Sequence, residues 1–461
     1  MNRPAPRLRG LAAAAVLAVV ALAASACSLG APASSTGTAS FAPELGPDQK
    51  VSITFESYNL SQAGSWSDTF GQLLAEFKRT HPNIDVAAQK PQGTSPNGVT
   101  NAVPSVQSQV LTGTPPDVAQ LTFGDLDFVV NKLQAKPIDY LVGRPAIDAN
   151  FGGEHPFAPT ARTLGDWNGK TYGVPFVFST PVLFYNASLF AQAGLDPNRP
   201  PTTWDEVKAA SLAIKARTGR DGSYIDCLTQ TAGDWCYQGL VASNGGGVIS
   251  PDRTKLTFAD PPAVQAVGMA QDLVNSGASP KLSQIQAYPE FARGEMGMIL
   301  ESSSVQGTFQ KGAAGKWDLR AAPMPSFGSR PTSPTNSGAA LFVMSNDPAK
   351  QRAAWELITF LTSDQAYTAI SSKIGYLPLR TSLVDDPRYL QPWAAKNPLL
   401  GPNIAQLGRL TRWQSFPGDN YNQIHDTMLQ GVETAVYQGA DPQAAMAAAQ
   451  QQATALMPRA R

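Results

Sequence analysis

The segment 51–86 changes its hydrophobic period twice, and this pattern constrains the fold more than any other part of the chain. Residues 51–55 alternate apolar and polar side chains, which is typical of a strand. Between residues 70 and 77, apolar residues recur at spacings of three and four, which predicts one buried face of a helix. A second strand is predicted from residue 84, and a third over residues 117–121. This order predicts a parallel sheet with crossover helices.

Patterns further along the chain continue the alternation of strands and helices. Residues 169–176 predict a hairpin that enters a strand, and residues 182–186 predict the next strand. Thr203 and Glu206 are spaced as a capping box at the start of a helix. With 461 residues, the chain is longer than one hydrophobic core usually organises, so two domains are expected.

The charge balance narrows the possible partners. The 35 basic residues equal the 35 acidic residues, so the formal net charge is zero. A neutral chain of this kind has no electrostatic footprint for nucleic acid. Hydrophobic residues make up 43% of the sequence, which is enough for sizeable cores and disfavours global disorder.

The first 26 residues are predicted to be a signal peptide. Arg3, Arg7 and Arg9 precede an apolar stretch at 11–24 that is too short to span a bilayer, and Cys27 follows small residues. This arrangement resembles a bacterial lipoprotein signal, which implies cleavage before Cys27, lipidation of its sulfur and anchoring to the outer face of the cell membrane. The alternative is an ordinary secretory signal, cut after Ala26. Residues 27–48, rich in small and polar residues, predict a flexible tether.

Cys227 and Cys236 are the other cysteines of the chain. Export would place them in an oxidising compartment, so a disulfide between them is expected, with two free thiols as the alternative. A metal site is not expected, because the pair lacks further ligands and the chain has only three histidines.

Four segments carry a resemblance to a known family. They read STPVLFYN at 179–186 with AGL at 193–195, PPTTWDE at 200–206, FARGEMGM at 291–298 and GYLPLR at 375–380. In this order the chain resembles the extracellular solute-binding proteins of carbohydrate ABC importers, of the maltose-binding-protein type. More narrowly, it is similar to the binders of glycerol-3-phosphate and glycerophosphodiesters.

The resemblance implies a periplasmic-binding-protein-like α/β fold. Two α/β lobes, built from discontinuous segments, are joined by hinge strands, and the ligand lies in the cleft between them. The chain is expected to cross between lobes near 178–180, 313–316 and 345–347. The expected segments are 49–178 with 314–345 for lobe 1, and 179–313 with 346–461 for lobe 2.

The resemblance also implies ligand-contacting residues. Ser179 supplies a hydroxyl, Tyr376 an aromatic face with a hydroxyl, and Gly338 a close backbone approach. Ser303 matches a serine-rich turn. Arg412 is placed where a cleft arginine would bind phosphate or paired hydroxyls, with Arg409 as a competing position.

Two further candidate residues come from a difference between this chain and the glycerophosphate binders, and from the position next to a cysteine. The aligned position of an acidic residue in the glycerophosphate binders is Phe123 here, and Asp125 is expected to take over its role. This departure, with the lack of an aromatic residue over 91–98, favours a carbohydrate over glycerophosphate. Trp235, beside Cys236, is a candidate platform for a sugar ring.

The function expected from this resemblance is capture without catalysis. The protein would bind a sugar or a sugar-like polar solute, as a monomer without a cofactor, and deliver it to ABC permease subunits in the membrane. A glycerophosphodiester is the alternative ligand. The rival classes are an exported glycoside hydrolase, for which no motif pairs two carboxylates, and an adhesin or sensor lipoprotein.

Overall fold

The structure of the protein, a computed structural model, describes residues 41–62, 65–95 and 98–459. The predicted signal peptide, Cys27 and most of the predicted tether lie outside the described residues. The strands within them are β1 (Val51–Glu56), β2 (Ile84–Gln89), β3 (Val118–Thr122), β4 (Asp166–Trp167), β5 (Lys170–Thr171), β6 (Gly173–Ser179), β7 (Pro181–Asn186), β8 (Asp221–Ile225), β9 (Met296–Ser302), β10 (Leu319–Pro323) and β11 (Ser337–Val343).

Helices lie between and after these strands. Those described are α1 (Ser65–Thr80), α2 (Gly98–Leu111), α3 (Leu126–Asn131), α4 (Ile138–Leu141), α5 (Arg144–Phe151), α6 (Pro159–Arg162), α7 (Ala187–Gln192), α8 (Trp204–Thr218), α9 (Trp235–Ser243), α10 (Pro261–Asn275), α11 (Gln284–Ala292), α12 (Gln306–Ala313), α13 (Pro348–Leu361), α14 (Asp364–Lys373), α15 (Gln391–Ala394), α16 (Leu400–Gln406), α17 (Tyr421–Val436) and α18 (Pro442–Thr454). Among the described helices, none has both the length and the apolarity to cross a membrane.

A five-stranded sheet forms the first lobe, in the order β2–β1–β3–β11–β6. β1 is parallel to β2 and to β3, as the opening pattern predicts, and β11 is antiparallel to β3 and β6. The helix that links β1 to β2 buries Phe70, Leu73 and Phe77 on one face. The predicted strand, helix and strand at the start of the body are therefore confirmed.

A four-stranded sheet forms the second lobe, in the order β10–β7–β9–β8. β8 is parallel to β9, and the other pairs are antiparallel. Aromatic side chains pack edge to face on this sheet, with Phe291 against Phe309 at 4.7 Å and against Trp317 at 5.3 Å between ring centroids. The two sheets establish the predicted fold class of two α/β lobes.

The chain passes between the lobes at places that differ in part from the prediction. The first crossing is at Thr180, between β6 and β7, within the predicted 178–180. The second lies between β10 and β11 rather than at 313–316, because β10 pairs with β7 in the second sheet. No crossing occurs at 345–347, since α13 packs against β1. Strand pairing thus assigns β10 to lobe 2, and helix packing assigns α13 to lobe 1.

The tether was predicted to extend to residue 48, but the folded body of the protein begins earlier than residue 49. The amide of Ala42 donates to the carbonyl of Leu141 at 2.7 Å, and Glu44 is ion-paired with Arg352. Residues 42–45 therefore lie on the first lobe instead of forming a tether.

Two local predictions are confirmed. The Thr203 hydroxyl accepts from the Glu206 amide at 3.2 Å, and the Glu206 carboxylate accepts from the Thr203 amide at 3.3 Å, which completes the capping box. Cys227 and Cys236 form a disulfide, with their Cα atoms 5.5 Å apart.

Candidate ligand-binding cavity

A cavity of about 530 Å³ lies between the two lobes. Its walls come from the residues that follow β1 and β3 in the first sheet, and from those at the ends of β8 and β9 in the second. The carboxyl ends of parallel strands are where open α/β sheets bind ligands, because the connecting loops diverge there. The volume falls in the range of small-molecule sites.

Aromatic side chains provide much of the cavity wall. Eight of them line it: Tyr58, Trp66, Trp235, Tyr288, Tyr376, Trp413, Phe416 and Tyr421. Trp66 and Tyr376 meet edge to face, with ring centroids 5.0 Å apart. Flat apolar faces with hydroxyls at their edges suit a ring that has an apolar face and a polar rim.

The structure brings five of the seven sequence-predicted residues to this cavity. These are Ser179, Tyr376, Gly338, Asp125 and Trp235. Ser303 and Arg412 are not among the residues that line it. The ligand-binding role of each of the seven stays a prediction.

Ser179 and Gly338 lie on neighbouring strands at the hinge. Ser337 is opposite Ser179 in the ladder between β11 and β6, and Ser302 of the second sheet donates its hydroxyl to that of Ser179 at 2.7 Å. Gly338 has φ +113°, and a Cβ there would lie 2.1 Å from the carbonyl oxygen of Val177. Only glycine fits this position, so the backbone itself forms this part of the wall.

Neighbours replace the two predicted residues that do not reach the cavity. Ser303 is fully buried, whereas Ser302 and Ser304 line the wall. Nη2 of Arg412 donates to the carbonyl oxygens of Leu164 and Asp166, both at 2.7 Å, so the backbone holds the guanidinium outside the cavity wall. Trp413, one residue later, lines the cavity instead.

Asp125 is held by three hydrogen bonds. One oxygen accepts from the amide of Thr122 at 3.2 Å and from its hydroxyl at 2.7 Å. The other accepts from the hydroxyl of Tyr421, on the second lobe, at 2.8 Å. Burial raises the pKa of Asp125, against the lowering effect of these bonds. Both oxygens of this carboxyl group therefore have donors within the protein.

Asp234 and His425 form a charged pair at the same wall. Asp234 lies 3.4 Å from the imidazole and also accepts from Trp413 at 2.8 Å and from Gln238 at 2.7 Å. Burial is the largest single effect and lowers the pKa of His425, but the charges and hydrogen bonds of Asp234 and Asp426 together outweigh it and raise this pKa to about 10. The imidazole is therefore protonated at neutral pH, and it holds the pKa of Asp234 below its ordinary value despite burial.

Asp226 and Glu301 form a second carboxyl pair, on the second sheet. Asp226 directly follows β8, and Glu301 lies near the end of the parallel strand β9. Gln284 donates to one oxygen of Asp226 at 2.9 Å, while Oδ1 of Asp226 and Oε2 of Glu301 have no donor among the described residues. Burial raises the pKa of both groups, and the charge of Asp226 raises that of Glu301 further.

The cavity is acidic. Of the described residues that line it, five carry a carboxyl group and one is histidine, while none is Lys or Arg. The histidine is paired with Asp234 and Asp426. No described ion pair includes Asp226 or Glu301.

Apart from Asp125, the charged residues of the cavity were not predicted from the sequence. Asp226 and Asp234 each precede a partner that the analysis had singled out, Cys227 and Trp235, so the predicted disulfide loop was a usable signal. Glu301 gives no such signal, because it follows an apolar run that predicts an ordinary buried strand.

A separate group of possible metal ligands lies away from the cavity. Glu154, His155 and Asp386 have ligand atoms within 4.8 Å of one another. Arg388 is ion-paired with both carboxylates, and His155 lies 3.2 Å from Asp386. The arginine already neutralises the acids, so this group is explained as an ion-pair network.

Comparison with known proteins agrees with this architecture. Residues 72–400 match the family of bacterial extracellular solute-binding proteins, which is more than half of the chain. The protein therefore belongs to this family. Members of the family are binding proteins of transporters.

Individual members of this family show measurable sequence identity to the chain. The chain is 28% identical over 305 residues to the sn-glycerol-3-phosphate-binding periplasmic protein UgpB of Pectobacterium atrosepticum, covering 63% of this chain and 67% of the relative. The Yersinia pestis UgpB is 27% identical over 249 residues, and the chain spans 55% of its length.

Solved structures share the fold. The cyclic alpha-maltosyl-1,6-maltose binding protein of Arthrobacter globiformis superimposes with a TM-score of 0.74 at 22% identity, over 88% of this chain and 99% of that one. UgpB of Mycobacterium tuberculosis, solved with glycerophosphocholine, gives 0.75 at 21% identity, over 88% and 98%. At this identity the likeness establishes the fold alone.

Proposed function

We propose that this protein captures a sugar or a sugar-like polar solute in the cavity between its lobes and delivers it to the permease of an ABC importer. The observation that carries the proposal is the cavity wall, in which eight aromatic side chains alternate with hydroxyl, amide and carboxyl groups. Aromatic faces stack on the apolar faces of sugar rings, and the polar groups accept from and donate to hydroxyls.

Binding would couple to lobe closure. Residues of both lobes line the cavity, so a solute held between them stabilises the conformation in which the lobes approach each other. Ser179, Tyr376, Gly338, Asp125 and Trp235 are the predicted ligand contacts. Closure would present a defined surface to the permease only when the solute is bound.

The proposed location is the outer face of the cell membrane. Membership of an extracellular binding-protein family supports export, and the residues before Cys27 support cleavage and lipidation there. Replacing Cys27 by Ala is expected to release the protein from the membrane fraction into the medium. Mass spectrometry of the mature N-terminus would distinguish a diacylated cysteine from an ordinary cleaved end.

A glycerophosphodiester or glycerol-3-phosphate is the second candidate ligand, because the relatives named UgpB bind such compounds. The cavity disfavours it, since none of the described lining residues is Lys or Arg and a phosphate would face five carboxyl groups. We therefore rank it below a carbohydrate.

Two other functions are open to test. A glycoside hydrolase needs two carboxyl groups on opposite sides of the scissile bond, separated by more than 5 Å or so. Asp226 and Glu301 instead lie close enough to hydrogen-bond to each other, which suits binding better than hydrolysis.

An adhesin or sensor lipoprotein would use the same cavity without a permease, and permease genes beside this one would favour import.

The test is a thermal-shift screen of the purified protein. The panel contains mono- and disaccharides, amino sugars and glycerophosphodiesters, each with product analysis after incubation. A true ligand raises the melting temperature by mass action. We expect a shift with at least one sugar and no product. A shift with no compound, or hydrolysis of one, would overturn the proposal.

A further inference from the structure

The pair formed by Asp226 and Glu301 is the part of the cavity that the protein itself leaves incomplete. Both side chains are at least 98% buried from solvent, yet both line the cavity. Each keeps one oxygen, Oδ1 of Asp226 and Oε2 of Glu301, without a donor among the described residues. A buried acceptor without a donor is costly, so a native structure that retains two of them at a cavity wall has a reason to do so.

No described ion pair supplies a cation to this pair. Burial raises the pKa of both carboxyl groups, and the charge of Asp226 raises that of Glu301 further, so ionisation of the pair is costly unless a positive charge comes from outside the protein. The neighbouring groups are Gln284, whose amide donates one bond, and the hydroxyls of Tyr224 and Tyr288. None of these carries a positive charge. The missing component is therefore a cation that donates hydrogen bonds.

The other carboxyl groups of the cavity show what a completed site looks like here. Asp234 has His425, Trp413 and Gln238 as partners, and Asp125 has Thr122 and Tyr421. The protein thus supplies donors where a carboxyl group serves the fold. At Asp226 and Glu301 it supplies Gln284, the Tyr288 hydroxyl and the backbone of Ser302, and one oxygen of each carboxyl group still lacks a described donor.

We infer that Asp226 and Glu301 recognise a protonated primary amine of the solute, so that the preferred ligand is an amino sugar or a similar hydroxylated amine. This inference rests on the proposed function. An ammonium group has three N–H donors and one positive charge, so it can donate to the two oxygens that lack a described donor and offset the cost of ionising a carboxyl group there. A quaternary ammonium lacks the donors, a phosphate has the wrong sign, and a neutral hydroxyl brings no positive charge.

The aromatic wall would hold the rest of the molecule. Tyr288, which is hydrogen-bonded to Gln284, lies beside the pair. Trp235 lies on the loop closed by the disulfide, which begins one residue after Asp226. A sugar ring placed against these faces would direct a substituent amine toward the two oxygens.

The experiment compares matched probes by isothermal titration calorimetry near neutral pH. One set is glucosamine, glucose and N-acetylglucosamine, and the second is their β-1,4-linked disaccharides. Glycerophosphoethanolamine and glycerophosphocholine form a third set, which separates a primary from a quaternary ammonium. We expect the free amine of the matching sugar set to bind about 10- to 100-fold more tightly than its neutral counterparts, as for a hydrogen bond to a charged group.

Substitutions of Asp226 and Glu301 test whether this pair causes the preference for an amine over a neutral sugar. Asp226→Asn and Glu301→Gln are each expected to reduce the ratio of amine to parent-sugar affinity to about one tenth of its wild-type value or below. Asp272→Asn is the matched control, because Asp272 is an exposed carboxylate on α10 that pairs with Lys208. The control should keep the wild-type ratio.

The outcomes separate this inference from the proposed function. If neutral sugars bind as tightly as their amines, or if the ratio survives both substitutions, the inference is wrong and the sugar-binding function stands. Preferred binding of glycerophosphocholine also overturns it. If no sugar of any set binds, the proposed function fails as well. The wild-type comparison needs no variant, so it decides the question even where a substituted protein does not fold.

Discussion

Four carboxyl groups at the cavity fall into two sets that differ in how their oxygens are occupied. Asp125 and Asp234 each accept hydrogen bonds on both oxygens from residues of the protein. Asp226 and Glu301 each have an oxygen without a described donor, and neither forms an ion pair. Asp125 is partly buried, Asp234, Asp226 and Glu301 are buried, and all four line the same space. Burial therefore does not separate groups that maintain the fold from groups that await a ligand, whereas their hydrogen-bond partners do.

The difference between the two sets predicts that replacing a carboxyl group by an amide affects the free energy of unfolding differently in each set. Replacing a carboxyl group of the first set removes a partner on which other buried groups depend. Replacing one of the second set removes a buried carboxyl group with an oxygen to which no described residue donates.

Asp234→Asn is expected to lower the free energy of unfolding by about 3 kcal/mol, because it leaves the His425 imidazolium without its main buried partner. Asp226→Asn is expected to change it by about 1 kcal/mol or less, or to raise it. Urea denaturation near neutral pH measures both. A larger loss for Asp226→Asn than for Asp234→Asn would contradict the comparison.

Replacing Cys227 and Cys236 together by Ser is expected to cost roughly 2–3 kcal/mol, as for a short disulfide loop. The loop closed by this disulfide begins one residue after Asp226 and carries Trp235, so ligand affinity should fall as well. Denaturation with and without reductant gives the stability, and calorimetry gives the affinity. Unchanged affinity in the double variant would show that the loop keeps its shape without the covalent link.

The stability of the wild-type protein is expected to fall as pH rises above about 4.5, the ordinary pKa of Glu301. Because burial raises the pKa of Glu301 in the folded state, the folded protein holds a proton that the unfolded chain has released. Each such proton changes the free energy of unfolding by up to about 1.4 kcal/mol per pH unit. Glu301→Gln removes this proton and should flatten the curve of melting temperature against pH. Parallel curves would exclude a shared proton.

Asp125→Asn is expected to cost about 1 kcal/mol, through its bonds to Thr122 and Tyr421. A double-mutant cycle with Tyr421→Phe isolates the bond between the lobes. If Asp125→Asn abolishes solute binding while stability changes little, Asp125 contacts the ligand as the sequence predicts. It would then belong to the second set.

Local and periodic features of this fold were predictable from the sequence. The spacing of Phe70, Leu73 and Phe77 predicted α1, and the spacing of Thr203 and Glu206 predicted a helix cap, because both depend on neighbours within a few residues. The division of the chain between lobes was partly wrong. It depends on which distant strand β10 pairs with, and periodicity carries no information about that choice.

The cavity was predictable where a turn or a motif marked it. Ser179, Gly338 and Tyr376 lie in such segments. Glu301 and Asp226 are 75 positions apart in the chain and meet only because β8 and β9 are parallel neighbours. Arg412 was placed in the cavity by its position in the family resemblance, but two backbone carbonyls hold its guanidinium, and Trp413 occupies the wall.

The attachment of residues 42–45 to the first lobe has a mechanical consequence. Ala42 is bonded to Leu141 and Glu44 to Arg352, and both partners belong to the five-stranded half. If Cys27 carries the lipid anchor proposed above, the first lobe is the one that the chain joins directly to it. The second lobe, which bears Asp226 and Glu301, then connects to the anchor only through the first, and lobe closure moves the second lobe relative to the anchored one.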